Sequence, residues 1–329
     1  TSPALPFSAR VRLLREPFVK PHAGGEESVA AFAQRRLGSG VLDLADAMVT
    51  GVFAGDPNTL SVDHAFPFLR KLEQEHGSLL KGLRAAPRGP DGPARLQGFR
   101  RGMGSLPEAL SAKVQPTLNT RVTAVLPRLG GGHLIKTSEG DLEARSVVLA
   151  LSPAEAGRLL DAPFPPQRLA RITVVALGFP AAQVRRDIGF GYLAPRSEGR
   201  FLLGAVAESN LFPERAPSGH VLLRCLVGGV RDAERASLPD GELVTKALAD
   251  LRGLGIIEGD PVFTKVVRHA NGIPQIEVGH GALLDAAARV EATHPGLFLT
   301  GAGYRSVAVN GLIAEAYGTA ERVAAFLEQ

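Results

Sequence analysis

Apolar residues recur every three or four positions through the first quarter of the chain, in Ser28-Val-Ala-Ala-Phe-Ala-Gln-Arg-Arg-Leu37 and again from Phe66 to Leu83. This spacing predicts a helical region over residues 1–84. Proline and glycine then accumulate from Ala85 to Gly98, which predicts a loop or a crossing between domains. Ser105 with Glu108, and Ser152 with Glu155, have the spacing of capping boxes at helix starts. Between them Arg121 to Leu126, His133 to Thr137 and Ser146 to Leu151 read as short strands, with Gly130-Gly131-Gly132 as a turn, so a small β-meander is expected. Residues Ile172 to Gly178, Gly191 to Ala194, Phe201 to Ala207 and Val221 to Val227 are β-rich and broken by Gly and Pro, the pattern of an antiparallel sheet. A helix from Gly241 to Leu254 and a strand from Val262 to Val267 follow. Near the end a short strand, Leu297 to Leu299, enters a glycine-bearing turn and then a helix from Gly311 to Leu327, which presents helix N-terminal amides to an electron-rich ligand.

Composition narrows the class more than the chemistry. The chain has 329 residues, 45% of them apolar, and no tryptophan, which fits a globular enzyme of more than one domain. The single Cys225 excludes an internal disulfide framework and argues against an iron–sulfur or structural zinc site, so a reducing compartment, the cytoplasm, is expected. The formal charge of +4 is spread along the chain rather than gathered, which argues against nucleic acid as a partner. A basic cleft would equally suit a substrate that carries carboxylates. No apolar run approaches the roughly 18 to 20 residues of a membrane-spanning helix, so any membrane contact is expected to be peripheral.

The site motifs need weighing one by one. A strand followed by G-x-G-x-x-G and a helix would mark a dinucleotide cradle, and none is found. Gly102-Met-Gly104 is a decoy that reads as a helix start, because Pro107 stands at the third glycine position. His76 reads as a histidine on a helix surface. His269 and His280 lie on a proline-broken segment, and no shared metal is expected of them. Gly51-Val-Phe-Ala-Gly55 is by itself only a turn that ends a helix, or a loop needing positive φ.

Taken together, however, several strings carry a resemblance. Arg268-His-Ala-Asn-Gly-Ile-Pro-Gln-Ile-Glu-Val-Gly-His280 followed by Gly301-Ala-Gly-Tyr-Arg-Ser-Val-Ala-Val-Asn310 resembles the C-terminal flavin signature of the oxygen-dependent protoporphyrinogen and coproporphyrinogen oxidases. Arg12-Leu-Leu-Arg-Glu-Pro-Phe18, Gly51-Val-Phe-Ala-Gly-Asp56, Arg101-Gly-Met-Gly-Ser-Leu-Pro-Glu-Ala-Leu110 and Ser146-Val-Val-Leu-Ala-Leu-Ser-Pro153 are similar to the same family, in its order. The chain departs from it at Ser306 and Gly311, and Ile276 stands where tyrosine is common.

The resemblance implies an α/β fold of the FAD-binding amine-oxidase type that lacks its N-terminal Rossmann part. It implies a helical domain over 1–84 that faces substrate or membrane, FAD-binding segments over 85–171 and 262–329, and a mixed-sheet substrate domain over 172–261. FAD would be the cofactor, with Val122 at its adenine end, Ile273 beside the isoalloxazine, and Val307, Ala308 and Val309 at the pyrimidine edge. Phe190, Gly191 and Leu193, faced by Leu226, would enclose the tetrapyrrole. The implied reaction oxidises a porphyrinogen, protoporphyrinogen or coproporphyrinogen, to the porphyrin with O2 and yields hydrogen peroxide, a late step of haem synthesis. A homodimer and a peripheral contact at the inner face of the cell membrane stay open. So do two other readings, a flavin amine oxidase or carotenoid desaturase and a non-catalytic porphyrin-binding protein.

Overall fold

The computed structural model describes residues 5–85 and 96–329. Its first region is helical throughout: α1 (Phe7–Leu13), α2 (Val29–Leu37), α3 (Leu42–Phe53), α4 (Val62–Ala65), α5 (Pro67–His76) and α6 (Leu79–Ala85). The stretch 66–83 reads as one helix in sequence but forms two, because Gly77 takes φ +67° and closes α5 with a left-handed cap. Ser28 caps α2, its hydroxyl accepting the Ala31 amide. Most of the proline- and glycine-rich loop expected at 85–98, residues 86–95, lies outside the described residues.

Charge as well as apolar surface is buried in this region. Glu16, Glu27, Arg36, Arg70 and Glu73 are all buried, and Arg35 and Asp63 are half-buried beside them. Glu16 is bonded to the Arg36 guanidinium and the Ser78 hydroxyl, and its carboxylate also accepts the Leu79 amide at 2.8 Å at the start of α6. Glu73 accepts from Arg35 at 2.7 Å and from Arg70 at 2.5 Å, and Arg70 reaches Asp63 at 2.6 Å. Such a network is tolerable only because nearly every lone pair and proton has a partner.

The next segment holds α7 (Ser105–Val114), β1 (Val122–Pro127), β2 (His133–Thr137), β3 (Gly140–Ala144), β4 (Val147–Ala150) and α8 (Pro153–Leu160). The expected capping box at Ser105 does not form: Ser105 is already helical, Gly104 stands at the cap, and Glu108 pairs with Arg101. At α8 half of the box forms, since Ser152 accepts the Glu155 amide, while the Glu155 carboxylate turns to Arg158. The meander also differs from expectation. Its third strand is β3, and β4 leaves it to pair in parallel with a distant strand.

The largest sheet follows, from β5 (Leu169–Pro180), β6 (Gly191–Leu193), β7 (Gly204–Ala207), the short helix α9 (Glu208–Leu211), β8 (His220–Gly228), α10 (Asp240–Gly253) and β9 (Phe263–Pro274). The strand order is β6-β7-β8-β5-β9, antiparallel throughout. Alternation divides its faces. Val175, Leu177 and Phe179 of β5, with Leu223, Cys225 and Val227 of β8, pack on Leu243, Ala247 and Leu251 of α10. Each leucine fully buried there contributes about 1.5–3 kcal/mol. The remaining elements are α11 (Gly281–Thr293), β10 (Leu297–Thr300), which is the parallel partner of β4, and α12 (Val309–Leu327).

Two compact units result. One comprises residues 1–83, 166–282 and 305–307, and the other 84–165, 283–304 and 308–329. The boundary after the sheet falls at 282 rather than near 262, because β9 pairs with β5 from Phe263 to Pro274 and so belongs to the sheet.

Candidate functional site

The face of the large sheet turned away from α10 carries an apolar, partly covered row, with Arg224 and Lys265 in the next row along. Register aligns Leu193 of β6, Gly204 of β7, Leu226 of β8, Val174 of β5 and Val267 of β9 in one row. Leu193 and Leu226 stand two strands apart, about 10 Å at the usual strand spacing, and between them Gly204 carries no side chain. A Cβ on Gly204 would lie 2.4 Å from the Tyr192 carbonyl oxygen and 3.0 Å from Leu193 Cδ2, so only glycine fits under β6 here and no side chain rises between the two leucines. Gly191, on the same face as Leu193, has φ +137°, and a Cβ there would strike the Ala205 carbonyl oxygen at 2.1 Å. Leu193 also lies against α3, where a Cβ on Gly51 would come within 2.6 Å of its Cδ1. Phe190 precedes β6, is 53% exposed and stands outside the row.

This face runs on into the end of β9. Leu226 and Ile273 both pack on Ala54, Ala170 and Ile172. Ile273 and Val307 both pack on a second cluster that includes Phe53, Leu60 and Ile276. Leu193, Gly191, Leu226, Ile273 and Val307 are thereby gathered along one apolar seam of the first unit.

Gln275 pins this seam from behind. Its side-chain amide donates to the Phe53 carbonyl at 2.9 Å and to the Ile273 carbonyl at 3.0 Å, at a position 2% exposed. A Cβ on Gly55 would lie 2.6 Å from Gln275 Oε1, and Ala54 takes a left-handed φ of +47° so that its carbonyl accepts the Val230 amide at 2.9 Å. The strings Gly51–Gly55 and Gly272–Gln275 therefore form two halves of one interlock. In sequence the two strings mark the family together, but Gln275 carries no role there; the signal was an amide residue beside a glycine-flanked turn.

The other flavin candidates belong to the second unit. Val122 opens β1 and lines an apolar trough of about 470 Å3 with Val147, Leu149 and Leu151. Ala308 is the N-cap of α12 and offers no side-chain acceptor to the helix's first-turn amides, and Val309, 45% exposed, begins the helix. An uncapped helix start of this kind favours a ligand with negative charge or electron-rich oxygens. An apolar trough and an uncapped α12 fit a flavin dinucleotide, whose adenine is flat and whose pyrimidine edge accepts hydrogen bonds.

Two groups that could serve as nucleophile or acid, Cys225 and Tyr192, lie away from the seam, whereas His269 pairs with Ile172 on the seam's own face of the sheet. Cys225 and Tyr192 point to the α10 face, and burial pushes the Cys225 thiol up to about 12 and raises the Tyr192 phenol as well. Burial also lowers His133, which favours a neutral imidazole. Among the described residues no group of three potential metal ligands forms.

The first unit thus offers a partly open apolar sheet row, and the second a helix start without a side-chain cap after a strand–glycine turn. The chain belongs to the flavin containing amine oxidoreductase family, whose model matches residues 3–326. It is 33% identical over 350 residues to protoporphyrinogen oxidase 1 of Arabidopsis thaliana chloroplasts, covering 93% of this chain and 64% of that protein. It is 29% identical over 303 residues to coproporphyrinogen III oxidase of Bacillus subtilis (strain 168), covering 86% of this chain and 64% of the relative. The fold is that of a crystal structure of a candidate protoporphyrinogen oxidase from Exiguobacterium sp. 255-15, with a TM-score of 0.77, 23% identity, and coverage of 99% of this chain and 74% of that one. The chain thus spans 64% of the length of each of these two relatives.

Proposed function

We propose that the protein is an FAD-dependent oxidase that converts a porphyrinogen, protoporphyrinogen or coproporphyrinogen, to the porphyrin and releases hydrogen peroxide. The observation that carries this reading is the row Leu193, Gly204, Leu226, a slot of leucine walls and glycine floor that continues through Ile273 to Val307. A flat apolar macrocycle needs shape and dryness rather than an acid or base. The names of the relatives from Arabidopsis and Bacillus support the same substrate class.

FAD, when bound, would supply the redox chemistry that couples oxidation of the macrocycle to reduction of O2. The chain's own residues bind, orient and exclude water. Leu193 and Leu226 desolvate the two edges of the ring, with Phe190 a third apolar contact at the exposed mouth. Ile273, held by Gln275, would contact the isoalloxazine and help orient the macrocycle, and orientation of this kind accounts for much of the rate. Val307, Ala308 and Val309 place the α12 amides at the flavin's electron-rich edge, where they favour the charge it gains on reduction. Val122 contacts the adenine in its trough. In this reading segments 85–171 and 262–329 carry the FAD contacts and 172–261 the substrate sheet.

No described helix is long and apolar enough to cross a membrane. Phe7, Val11, Leu14 and Phe18 form an exposed stripe beside the exposed Arg15 and Lys20, the surface that a peripheral contact with an anionic bilayer would use. The functional reading is tested by supplying FAD and following porphyrin fluorescence from each porphyrinogen in air. Porphyrin formation with matching hydrogen peroxide supports it. A flavin-loaded protein that binds porphyrin without oxidising either porphyrinogen would contradict it.

A further inference from the structure

Beside the apolar slot, the loop between β6 and β7 and the segment 231–235 line a cavity of about 180 Å3 that gathers four arginines, Arg196, Arg200, Arg231 and Arg235, against one carboxylate, Asp232, with Leu203 in its wall. Leu203 also packs on the cluster that Leu226 and Ile273 share, and its amide donates to the Leu226 carbonyl at 2.9 Å, so the cavity adjoins the slot directly. Four guanidinium groups around so small a space would repel one another unless carboxylates matched them closely. Only one is so matched. Arg231 donates to Asp46 at 2.6 Å and to the Thr50 hydroxyl at 3.0 Å, and Asp46 spends its other oxygen on the Arg196 backbone amide.

The other three have no carboxylate within hydrogen-bond reach among the described residues. Arg200 lies 3.6 Å from Asp250 and 3.8 Å from Glu198, and its buried Nε has no hydrogen-bond partner. Arg235 stands 3.9 Å from Asp232 and donates to the Arg200 carbonyl. The exposed Arg196 guanidinium forms no ion pair or hydrogen bond among the described residues. Arg200 and Arg235 thus hold only carboxylates beyond hydrogen-bond distance, and a planar carboxylate placed closer is the acceptor a guanidinium fork matches best.

We propose that this cavity is the subsite for a carboxylate-bearing side arm of the substrate, held by Arg196, Arg200 and Arg235, with Arg231 and Asp46 as positioning residues. This rests on the porphyrinogen reading, since the macrocycle in the slot is what delivers the arm. The cavity admits one carboxylate with its short methylene stem, so it sets how the ring is turned in the slot.

Binding rather than turnover tests it. Protoporphyrin IX and its dimethyl ester are titrated by fluorescence against flavin-loaded wild-type protein, Arg196→Gln, and the double variant Arg196→Gln/Arg235→Gln. Arg196 is exposed and makes no side-chain bond among the described residues, so its substitution should leave the fold intact. The free acid should bind at least tenfold more weakly to the double variant and several-fold more weakly to Arg196→Gln, with ester binding unchanged in both. Inorganic phosphate should compete with the free acid on the wild type and lose that effect in the double variant. Free-acid affinity unchanged by either variant, or an equal loss for acid and ester, would overturn the subsite while leaving the porphyrin reading in place. Phosphate binding that depends on the arginines without any change in porphyrin affinity would make the cavity a site for a free anion and overturn the proposal. A wild type that binds neither porphyrin form would remove the substrate reading and this subsite with it.

Discussion

The first unit buries its surface in two opposite ways. Around α2, α5 and α6 it buries charge, with Glu16, Arg36 and Glu73 wholly enclosed and bonded to named partners. Along the outer face of the large sheet it leaves apolar side chains half-covered, with Leu193 and Leu226 on either side of a glycine. Directional bonds hold helices in one arrangement and tolerate no loss of a member. A half-open apolar face is non-directional, cheap to alter in stability terms and sensitive in what it binds. The contrast separates residues that maintain the fold from residues whose partly open surface is available to a ligand.

The largest expected effect lies in the network. Glu16→Ala leaves Arg36 enclosed without its carboxylate and should destabilise the chain by about 3–5 kcal/mol, measured by urea unfolding. A loss below about 1 kcal/mol, the range of exposed pairs, would mean that the network is not a determinant of stability. Acid should strike the same place. Burial alone would raise Glu16, Glu27 and Asp63, but their bonds outweigh it: Ser78, the Leu79 and Leu80 amides and Arg36 for Glu16, Arg35 and Arg70 for Glu27, and Arg70 with the Glu27 amide for Asp63. All three are thus held below the ordinary carboxylate range. A carboxyl lowered by folding contributes stability that is complete above its unfolded pKa of about 4 and is lost as pH falls through the lower folded value. Hydrogen exchange on descending pH should show α2 and α5 losing protection before β5 and β8; simultaneous loss would contradict the separation.

Smaller effects belong to the sheet. Gly204→Val fills the slot and meets the Tyr192 carbonyl, and should cost about 1–3 kcal/mol as an overpacking change, with porphyrin affinity falling far more than flavin content. Retained porphyrin affinity would place the ligand elsewhere. Least of all, Leu14→Ser with Phe18→Ser should shift stability by about 0.5 kcal/mol or less. The same pair should abolish co-sedimentation with anionic vesicles; unchanged sedimentation would remove the membrane role of that stripe.

Much of this division is visible in the sequence, and the parts that are not share a physical reason. Helical spacing over residues 1–84 and alternation in β5 and β8 are local signals and are read correctly, apart from the break at Gly77. β3 is exposed along its length and polar enough to resemble a turn, and β9 continues past Val267 as a largely exposed strand on a sheet edge, so neither shows an apolar pattern. The pairing of β4 with β10 joins segments nearly 150 residues apart, which periodicity cannot reveal. The charge network is hidden for the same reason: Glu16, Arg36 and Glu73 look like ordinary surface charges until three helices bring them together. In the candidate site, the resemblance selected residues of which five share one seam, but the glycine that shapes the slot, Gly204, the amide that fixes Ile273, Gln275, and the arginines beside them emerged only from register and contact.

The central claim is that the open sheet face binds the substrate while contributing little to the fold. Leu193→Lys tests it most directly, because Leu193 is 40% exposed and its replacement can extend its charge to water when no ligand is present. Porphyrin formed per bound flavin is measured in the same sample as flavin content and unfolding midpoint. The account predicts a normal midpoint, normal flavin content, and a rate reduced at least tenfold, because a macrocycle seated in the slot would trap the ammonium against an apolar ring. Unchanged turnover at normal flavin occupancy would contradict it and return Leu193 to the role of an ordinary sheet residue.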